Sequence, residues 1–308
     1  MWQYIGRRLL ISIPLLLGLT VLVFGMLHLL PGDPVQVILA TSGATPDAIA
    51  RLRSQLGLDL PLHIQYLRYL NGLLHGDMGA SLFTYRPVIE IIQQNVGATM
   101  ELACSAMFLA LVIGIPLGIL AAVFKDSWID HLAMSLAVVG VSAPGFWTAL
   151  LMILLFSVVL QLLPSGGHGT LKHLIMPTLV LGLSGAAVIA RLTRSSMLEV
   201  LRQEYVVTAR AKGGSELYVL VRHALKNSLI PVVTVAGLQF GFLLGGTVVT
   251  ETVFARPGLG RTAVEAILYK DIPVVQGIVL FVAVIYLVVN LIVDLCYALL
   301  DPRIRYSE

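Results

Sequence analysis

Charged residues are scarce in this chain of 308 residues: only 12% are Asp, Glu, Lys or Arg, about half the roughly 25% usual in soluble domains. Hydrophobic residues make up 57%, and the mean hydropathy is +0.91. That balance excludes a water-solvated globule and makes lipid the solvent for most of the surface. Cysteine is nearly absent too. Cys104 and Cys296 fall within apolar runs, which excludes a disulfide framework or a metal ligand set, and both read as small core residues. No basic, aromatic-interleaved stretch lies behind the net charge of +3, so nucleic acid is excluded as a partner. The chain also lacks a G-x-x-x-x-G-K-S/T phosphate loop, an H-E-x-x-H pair, a G-x-S-x-G elbow and the kinase motifs. His168 and His173 make a weak metal pair. The expectation is a chain that is no enzyme and has no catalytic residue, metal or bound cofactor.

What the chain has instead is long apolar runs. A crossing of the hydrocarbon core takes about 20 mostly apolar residues, and windows near 9–30, 99–124, 132–160, 173–190, 231–253 and 274–299 qualify. The runs are continuous rather than alternating, and helices satisfy their own backbone in lipid, so the fold class is all-α, a polytopic membrane protein with six transmembrane helices. The window at 173–190 is the shortest. Leu9–Leu30 is too long for a secretory h-region and has no cleavage site, so it reads as a retained span. With the N-terminus inside, twelve of the twenty Lys and Arg fall on the cytoplasmic side, which places both termini there.

Three regions follow: 1–30, an extracytoplasmic segment at 31–98, and a five-helix core at 99–308 with a cytoplasmic loop at 191–230. The insertion has helix-like stretches at Pro46–Leu56 and Pro61–Leu74 and turns at Pro31–Pro34 and Gly76–Gly79. It is near the lower size limit for a core of its own and reads as a cap on the membrane domain.

Within the spans, Pro14, Pro116, Pro144 and Pro177 interrupt the backbone ladder, and Pro144-Gly145 marks the sharpest break, either a packing kink or a bend in a pathway. Gly114 with Gly118, and Gly237, Gly241 and Gly245, form two small-residue ridges, each a helix-packing face or a smooth wall. Asn290 and Asp294 share a face of the last span, as a proton or ion relay or as a carboxylate paired with a neighbouring chain or with Arg303 or Arg305. Glu251 lies near an outer span end that water reaches.

The loop at 191–230 is far longer than neighbouring helices need. Helix formers dominate Glu204–Lys212, Glu204 suits a helix N-terminus, and Gly213-Gly214 is a stop signal, so a short helix, a glycine turn and a second helix from Glu216 into Pro231 is the natural parse. Seven basic and three acidic residues suit lipid headgroups. Headgroups do not require the spacing of Ala209 and Gly213, which lets a protein groove close on the backbone.

These residues resemble a known family. Thr208-Ala-Arg-Ala-Lys-Gly213, followed by Arg222-His-Ala-Leu-Lys-Asn and Pro231, is similar to the cytoplasmic coupling loop of inner-membrane permeases of ATP-binding cassette importers for dipeptides, oligopeptides, glutathione and nickel. Leu30-Pro-Gly-Asp-Pro34, Gly76-Asp-Met-Gly-Ala-Ser81, Ala190-Arg-Leu-Thr-Arg-Ser-Ser196, Glu251-Thr-Val-Phe254, Pro257-Gly-Leu-Gly260 and Asp301-Pro-Arg-Ile-Arg305 resemble its other motifs in order. The extended outer segment resembles the first permease of the pair. In one respect the chain departs from the general importer loop, which begins Glu-Ala-Ala: aligned on Gly213, these positions hold Val207, Thr208 and Ala209.

The resemblance implies a type I importer fold in a bacterial inner membrane, a second homologous permease, two ATPase subunits that carry ATP and Mg, an extracytoplasmic substrate-binding protein, and surrounding lipid. It assigns ATPase coupling to Glu204, Tyr205, Thr208, Ala209, Arg210, Ala211, Lys212 and Gly213. Peptide import is the expected function, with glutathione or nickel as alternatives, and an ATP-independent transporter or channel as the rival from another class.

Overall fold

The computed structural model describes residues 2–29, 46–55 and 57–300. These are helical almost throughout, and the one β contact among the described residues is an isolated antiparallel bridge from Ala80 to Pro87. In chain order the helices are α1 (Trp2–Leu29), α2 (Pro46–Gln55), α3 (Leu62–Leu74), α4 (Val88–Val123), α5 (Trp128–Ser142), α6 (Gly145–Met152), α7 (Leu171–Val200), α8 (Glu204–Ala211), α9 (Glu216–Val219), α10 (Lys226–Val253), α11 (Leu259–Tyr269) and α12 (Ile272–Leu300). Wide π turns extend α6 through Ile153–Val159 and join α9 to α10 through Leu220–Leu225. The second junction makes Glu216–Val253 one rod of 38 residues. The turn expected at Pro31–Pro34 lies outside the described residues.

Among the described residues the apolar windows fall on helix apart from a break at Ala143–Pro144, yet six straight spans are not reproduced. Among the described residues, four helices are long and apolar enough to cross a membrane: Val88–Val123, Leu171–Val200, Glu216–Val253 and Ile272–Val293. The third window is a broken pair, Trp128–Ser142 and Gly145–Val159, bent by 101°, and the apolar part of α1, Leu10–Met26, is shorter. The break has a backbone cause. Ala143 and Pro144 are both extended, with ψ of 126° and 131°, because proline lacks an N–H and drives the preceding residue out of the helical region. The window at 173–190 looked short only because α7 continues past its apolar part to Val200. Helix α4 likewise begins eleven residues before its window; its 36 residues reach about 54 Å, well beyond a hydrocarbon core of about 30 Å.

The chain forms two compact units, Met1–Gly97 with Gly258–Leu287, and Ala98–Pro257 with Val288–Glu308. The first is built around Val88, Ile92, Leu259, Ala266, Val274, Val275 and Ile278. Gly277 backs onto Val88, where a β-carbon would overlap the valine side chain. At its α11–α12 corner the buried carboxylate of Asp271 accepts hydrogen bonds from the Ser81 hydroxyl at 2.5 Å and the Leu82 amide at 3.1 Å. Two donors compensate the desolvation of that charge and pin the Ala80–Pro87 turn to the corner.

The second unit is organised by a seam between α4 and α7. A β-carbon at Gly114 would lie 2.7 Å from the Ala186 carbonyl oxygen, and one at Gly118 would lie 2.5 Å from that of Ala190. The first glycine ridge is therefore a packing face, its partner a stretch of small buried residues in α7. Cys104, expected in a core, is exposed on α4; a small apolar side chain sits as well against lipid as inside, and sequence does not say which face it takes. The side chain of Cys296 lies outside the described residues.

A second tie was not foreseen. Arg194 of α7 grips Asp130 of α5 through two hydrogen bonds of 2.6 Å, and the Asp126 amide donates to the same carboxylate at 3.0 Å. The Asp130 side chain is 2% exposed and that of Arg194 25%. Removing the cation strands a buried charge, so Arg194→Ala should cost about 3 kcal/mol. Thermal unfolding of the purified protein checks this; an unchanged midpoint would show that the pair contributes nothing.

Candidate functional site

The stretch from Glu204 to Asn227 folds as a small knob with a hollow behind it. Helix α8 has eight residues and a single buried one, Val206, which anchors it from beneath. Tyr205, Val207, Thr208, Arg210, Ala211, Lys212 and Gly213 are left exposed, with Ala209 half-buried. The Thr208 hydroxyl donates to the Glu204 carbonyl at 2.9 Å, which keeps it within its own helix.

Gly213 then takes a left-handed φ of +82°, letting its amide reach the Arg210 carbonyl at 2.9 Å and that of Gly214 reach the Ala209 carbonyl at 3.3 Å. Those two bonds satisfy carbonyls that a helix end would leave open. Ser215 caps the next helix by accepting from the Tyr218 amide at 3.4 Å. Across the glycine turn the Arg210 guanidinium forks onto Glu216 at 3.0 and 3.2 Å. Being exposed, this pair adds at most about 1 kcal/mol, so it sets geometry more than stability.

Tyr205 ties α8 to the wide turn behind it. Its hydroxyl accepts from the Asn227 side chain at 2.7 Å and donates to the His223 carbonyl at 3.5 Å. Tyr218 meets the His223 ring edge-on at 5.6 Å. Ala209 and Gly214 are too small to fill the space between, which leaves a cavity of about 520 Å³ lined also by Tyr205, Thr208, Lys212, Tyr218 and His223. Beneath it, Ala122 of α4, Met197 of α7 and Ala224 of the π turn form a buried cluster, and the Ser196 hydroxyl donates to the Ser228 carbonyl at 2.9 Å. The eight expected coupling residues are thus brought together. Tyr218, His223 and Asn227 were missed as members; the motif Arg222–Asn227 drew attention to their position without revealing a role.

The residues expected to line a pathway or to pack helices are not one group. Pro144 sits at the 101° bend. Gly237 packs so tightly on Val293 of α12 that a β-carbon would overlap it, Gly241 is half-buried, and Gly245 is exposed with open space around it. The second ridge is therefore not one continuous face, because four-residue steps drift around a helix of 3.6 residues per turn. Asn290 is half-buried, while the side chain of Asp294 lies outside the described residues, as do Arg303 and Arg305.

Glu251 requires a correction. It was read as water-exposed and is 0% exposed, accepting from the Thr99 hydroxyl at 2.7 Å. Position near a span end does not guarantee solvent when a neighbouring helix packs against it, as α4 does here through Thr99. Close by in sequence, Arg256 is 1% exposed and bonds to Glu101, which also meets His168 at 3.1 Å. No spacing in the sequence links these three residues.

The site therefore holds no paired nucleophile and base, only an anchored helix, a turn and a hollow wired to a long rod. Comparison with known proteins agrees with that. The profile of the binding-protein-dependent transport system inner membrane component matches residues 114–306, and that of the N-terminal part of such membrane components matches residues 1–103. The chain belongs to this family. It is an inner-membrane, multi-pass permease subunit, not an enzyme, and such permeases bind no cofactor of their own. The permease is 46% identical to the dipeptide transport system permease protein DppB of Alkalihalophilus pseudofirmus, with 99% of this chain and 100% of the relative covered. It is 48% identical to the glutathione transport system permease protein GsiC of Salmonella paratyphi A and 43% identical to DppB of Escherichia coli K12, with both chains covered completely in each case. Among solved structures, an inward-facing MetNI methionine ABC transporter shares the fold at a TM-score of 0.61 and 20% identity, over 69% of this chain and 97% of that one.

One departure in the permease now has a structural meaning. Val207, which stands where the general loop pattern begins with glutamate, is 54% exposed. The outward face of α8 is apolar at that position rather than acidic.

Proposed function

We propose that this permease is the first of two in an ATP-driven importer of short peptides, with both termini in the cytoplasm. A second homologous permease completes the pathway, two ATPase subunits bind ATP and Mg beneath, an extracytoplasmic binding protein delivers substrate, and the spans lie in lipid. The observation that carries this reading is the knob at Glu204–Gly213, anchored by one buried valine and fastened through Tyr205 and Arg210 to the start of the rod Glu216–Val253. In this mechanism an ATPase cleft holds α8, closure of the ATPases displaces it, and the rod carries the displacement into the membrane. ATP shifts the transporter between inward- and outward-open states because the ATPases bind it differently in the two.

Arg210→Glu tests the reading. It turns an attraction to Glu216 into repulsion and reverses the charge offered to the ATPase. Uptake of a labelled dipeptide should fall at least about tenfold, equivalent to about 1.4 kcal/mol, with membrane insertion intact and less ATPase co-purified. Normal uptake would sink the proposal.

Glutathione is the second reading. The alignment with the glutathione permease spans 307 positions, close to the 308 residues here, whereas those with the two dipeptide permeases spread over 334 and 339. The shorter alignment needs almost no insertions. Competition of unlabelled glutathione against dipeptide uptake separates the two substrates.

A further inference from the structure

The end of the second unit furthest from the knob carries a side-chain network that the coupling machinery does not use. Helix α7 runs about 45 Å from that end to the knob. The loop before α7 crosses the end of α10. Its Leu163 packs against the buried cluster of Ala149, Met176, Val180 and Phe254. Gly166 lies so close to the Phe254 carbonyl oxygen that a β-carbon would overlap it, and the Gly167 amide donates to the same oxygen at 2.8 Å. The loop is thus a strap, tied by its middle to the residue that follows the rod Glu216–Val253.

Beyond that tie the strap is held by one side chain. His168 stands between two glycines of left-handed φ, +104° at Gly167 and +116° at Gly169, where the backbone resists movement little. Its Nε2 lies 3.1 Å from Glu101 Oε2 on α4, the one polar contact of its side chain among the described residues. The same Glu101 oxygen accepts from Arg256, which is 1% exposed and also reaches the Ala98 carbonyl at 3.4 Å. A buried guanidinium needs a countercharge, so Glu101 anchors both partners. Side-chain exposures of 40% for His168 and 45% for Glu101 leave their contact open to water and its protons. The remaining titratable groups around the strap are engaged elsewhere or solvated: His173 Nδ1 bonds to the Thr170 hydroxyl at 2.8 Å, Lys172 is exposed, and Glu251 is buried against Thr99. The π turns at Ile153–Val159 carry no titratable residue. Histidine is the side chain whose charge ordinarily changes between about pH 5 and 8. Neutral His168 gives Glu101 a single N–H; protonated, it gives a charge-assisted bond about twice as strong.

We propose that Leu163–Thr170 is a proton-operated strap: protonation of His168 fastens it to Glu101 and ties the far end of the rod to α4, and deprotonation frees it. The fastening is present at acid pH and is lost as pH rises. Its consequence for transport rests on the importer reading, in which this end faces outside and the fastened strap restrains the rod.

The test follows hydrogen exchange at the Gly167 amide by mass spectrometry, on the full chain in nanodiscs, at about pH 5.5 and about pH 7.5, with the intrinsic exchange rates divided out. An ion pair this exposed supports about a fivefold change, equivalent to about 1 kcal/mol, so wild-type protection should be about fivefold higher at the acid pH. His168→Gln keeps a neutral N–H donor and should show the lower protection at both pH values. His168→Lys keeps the charge and should show the higher protection at both. Glu101 is left unchanged, because its loss would also strand Arg256. Equal wild-type protection at the two pH values, or a pH step that survives in His168→Gln, overturns the proposal. So does an equal loss of protection in both variants, since His168 would then act by shape alone. Uptake of labelled dipeptide by cells is the second readout, taken as the ratio of His168→Gln to wild type, which cancels the pH response of other components. That ratio should exceed one at about pH 5.5 and return to one at about pH 7.5. An exchange step with a constant uptake ratio overturns the part given to the strap in transport. Absence of wild-type uptake at both pH values overturns the peptide reading instead, and the exchange result then stands by itself.

Discussion

Replacing Gly213 with proline is expected to abolish transport while leaving the protein in the membrane. The native φ is +82°, and proline holds φ near −65°. The substitution also deletes the amide that donates to the Arg210 carbonyl at 2.9 Å, and it drives Lys212, now at φ −77° and ψ 6°, toward an extended conformation. Together these cost about 3 kcal/mol or more, roughly a hundredfold in the population of the native turn. The damage stays local because α8 buries only Val206, so insertion should survive. Gly213→Ala strains the same φ by about 1–2 kcal/mol and should give intermediate uptake. Retention of more than about a tenth of wild-type uptake by the proline variant, against the roughly hundredfold loss expected, would show that the turn does not couple.

Gly118→Leu should act on the whole protein. Its β-carbon would stand 2.5 Å from the Ala190 carbonyl oxygen and 2.6 Å from the Thr193 β-carbon, and neither belongs to a flexible side-chain end that can swing away. Relief requires α4 and α7 to separate along their seam, a loss of more than about 4 kcal/mol and enough to unfold a marginally stable protein. The measure is the yield of folded protein extracted in mild detergent and its resistance to trypsin. Gly245→Leu is the control, since that glycine has open space around it. Equal yields from the two variants would mean that the seam does not hold the fold together.

These two glycines show what a sequence conveys and what it leaves out. Gly114-x-x-x-Gly118 announces a close approach by its spacing, but α7 as its partner depends on small residues some seventy positions away. Glu204–Gly213 was legible because helix formers, an N-terminal anion and a glycine stop are all local signals. Asp130–Arg194 and Glu101–Arg256–His168 were not, because each joins residues from separate helices or loops with no repeating interval. Glu251 was misjudged for a related reason: its partner Thr99 lies on another helix, 152 positions away, and no interval in the sequence joins them. The break at Pro144 could be located from the Pro144-Gly145 pair, though its angle could not.

The seam also has a kinematic consequence. Where two helices meet glycine against carbonyl, with only the β-branched Ile189 and Thr193 alongside, sliding one past the other by a fraction of a residue brings carbonyl oxygens into carbon atoms. Helices α4 and α7 therefore have almost no relative degree of freedom and travel as one body. Any rearrangement within their unit must be taken up where the backbone ladder is already interrupted, and the joint at Ala143–Pro144 is such a place.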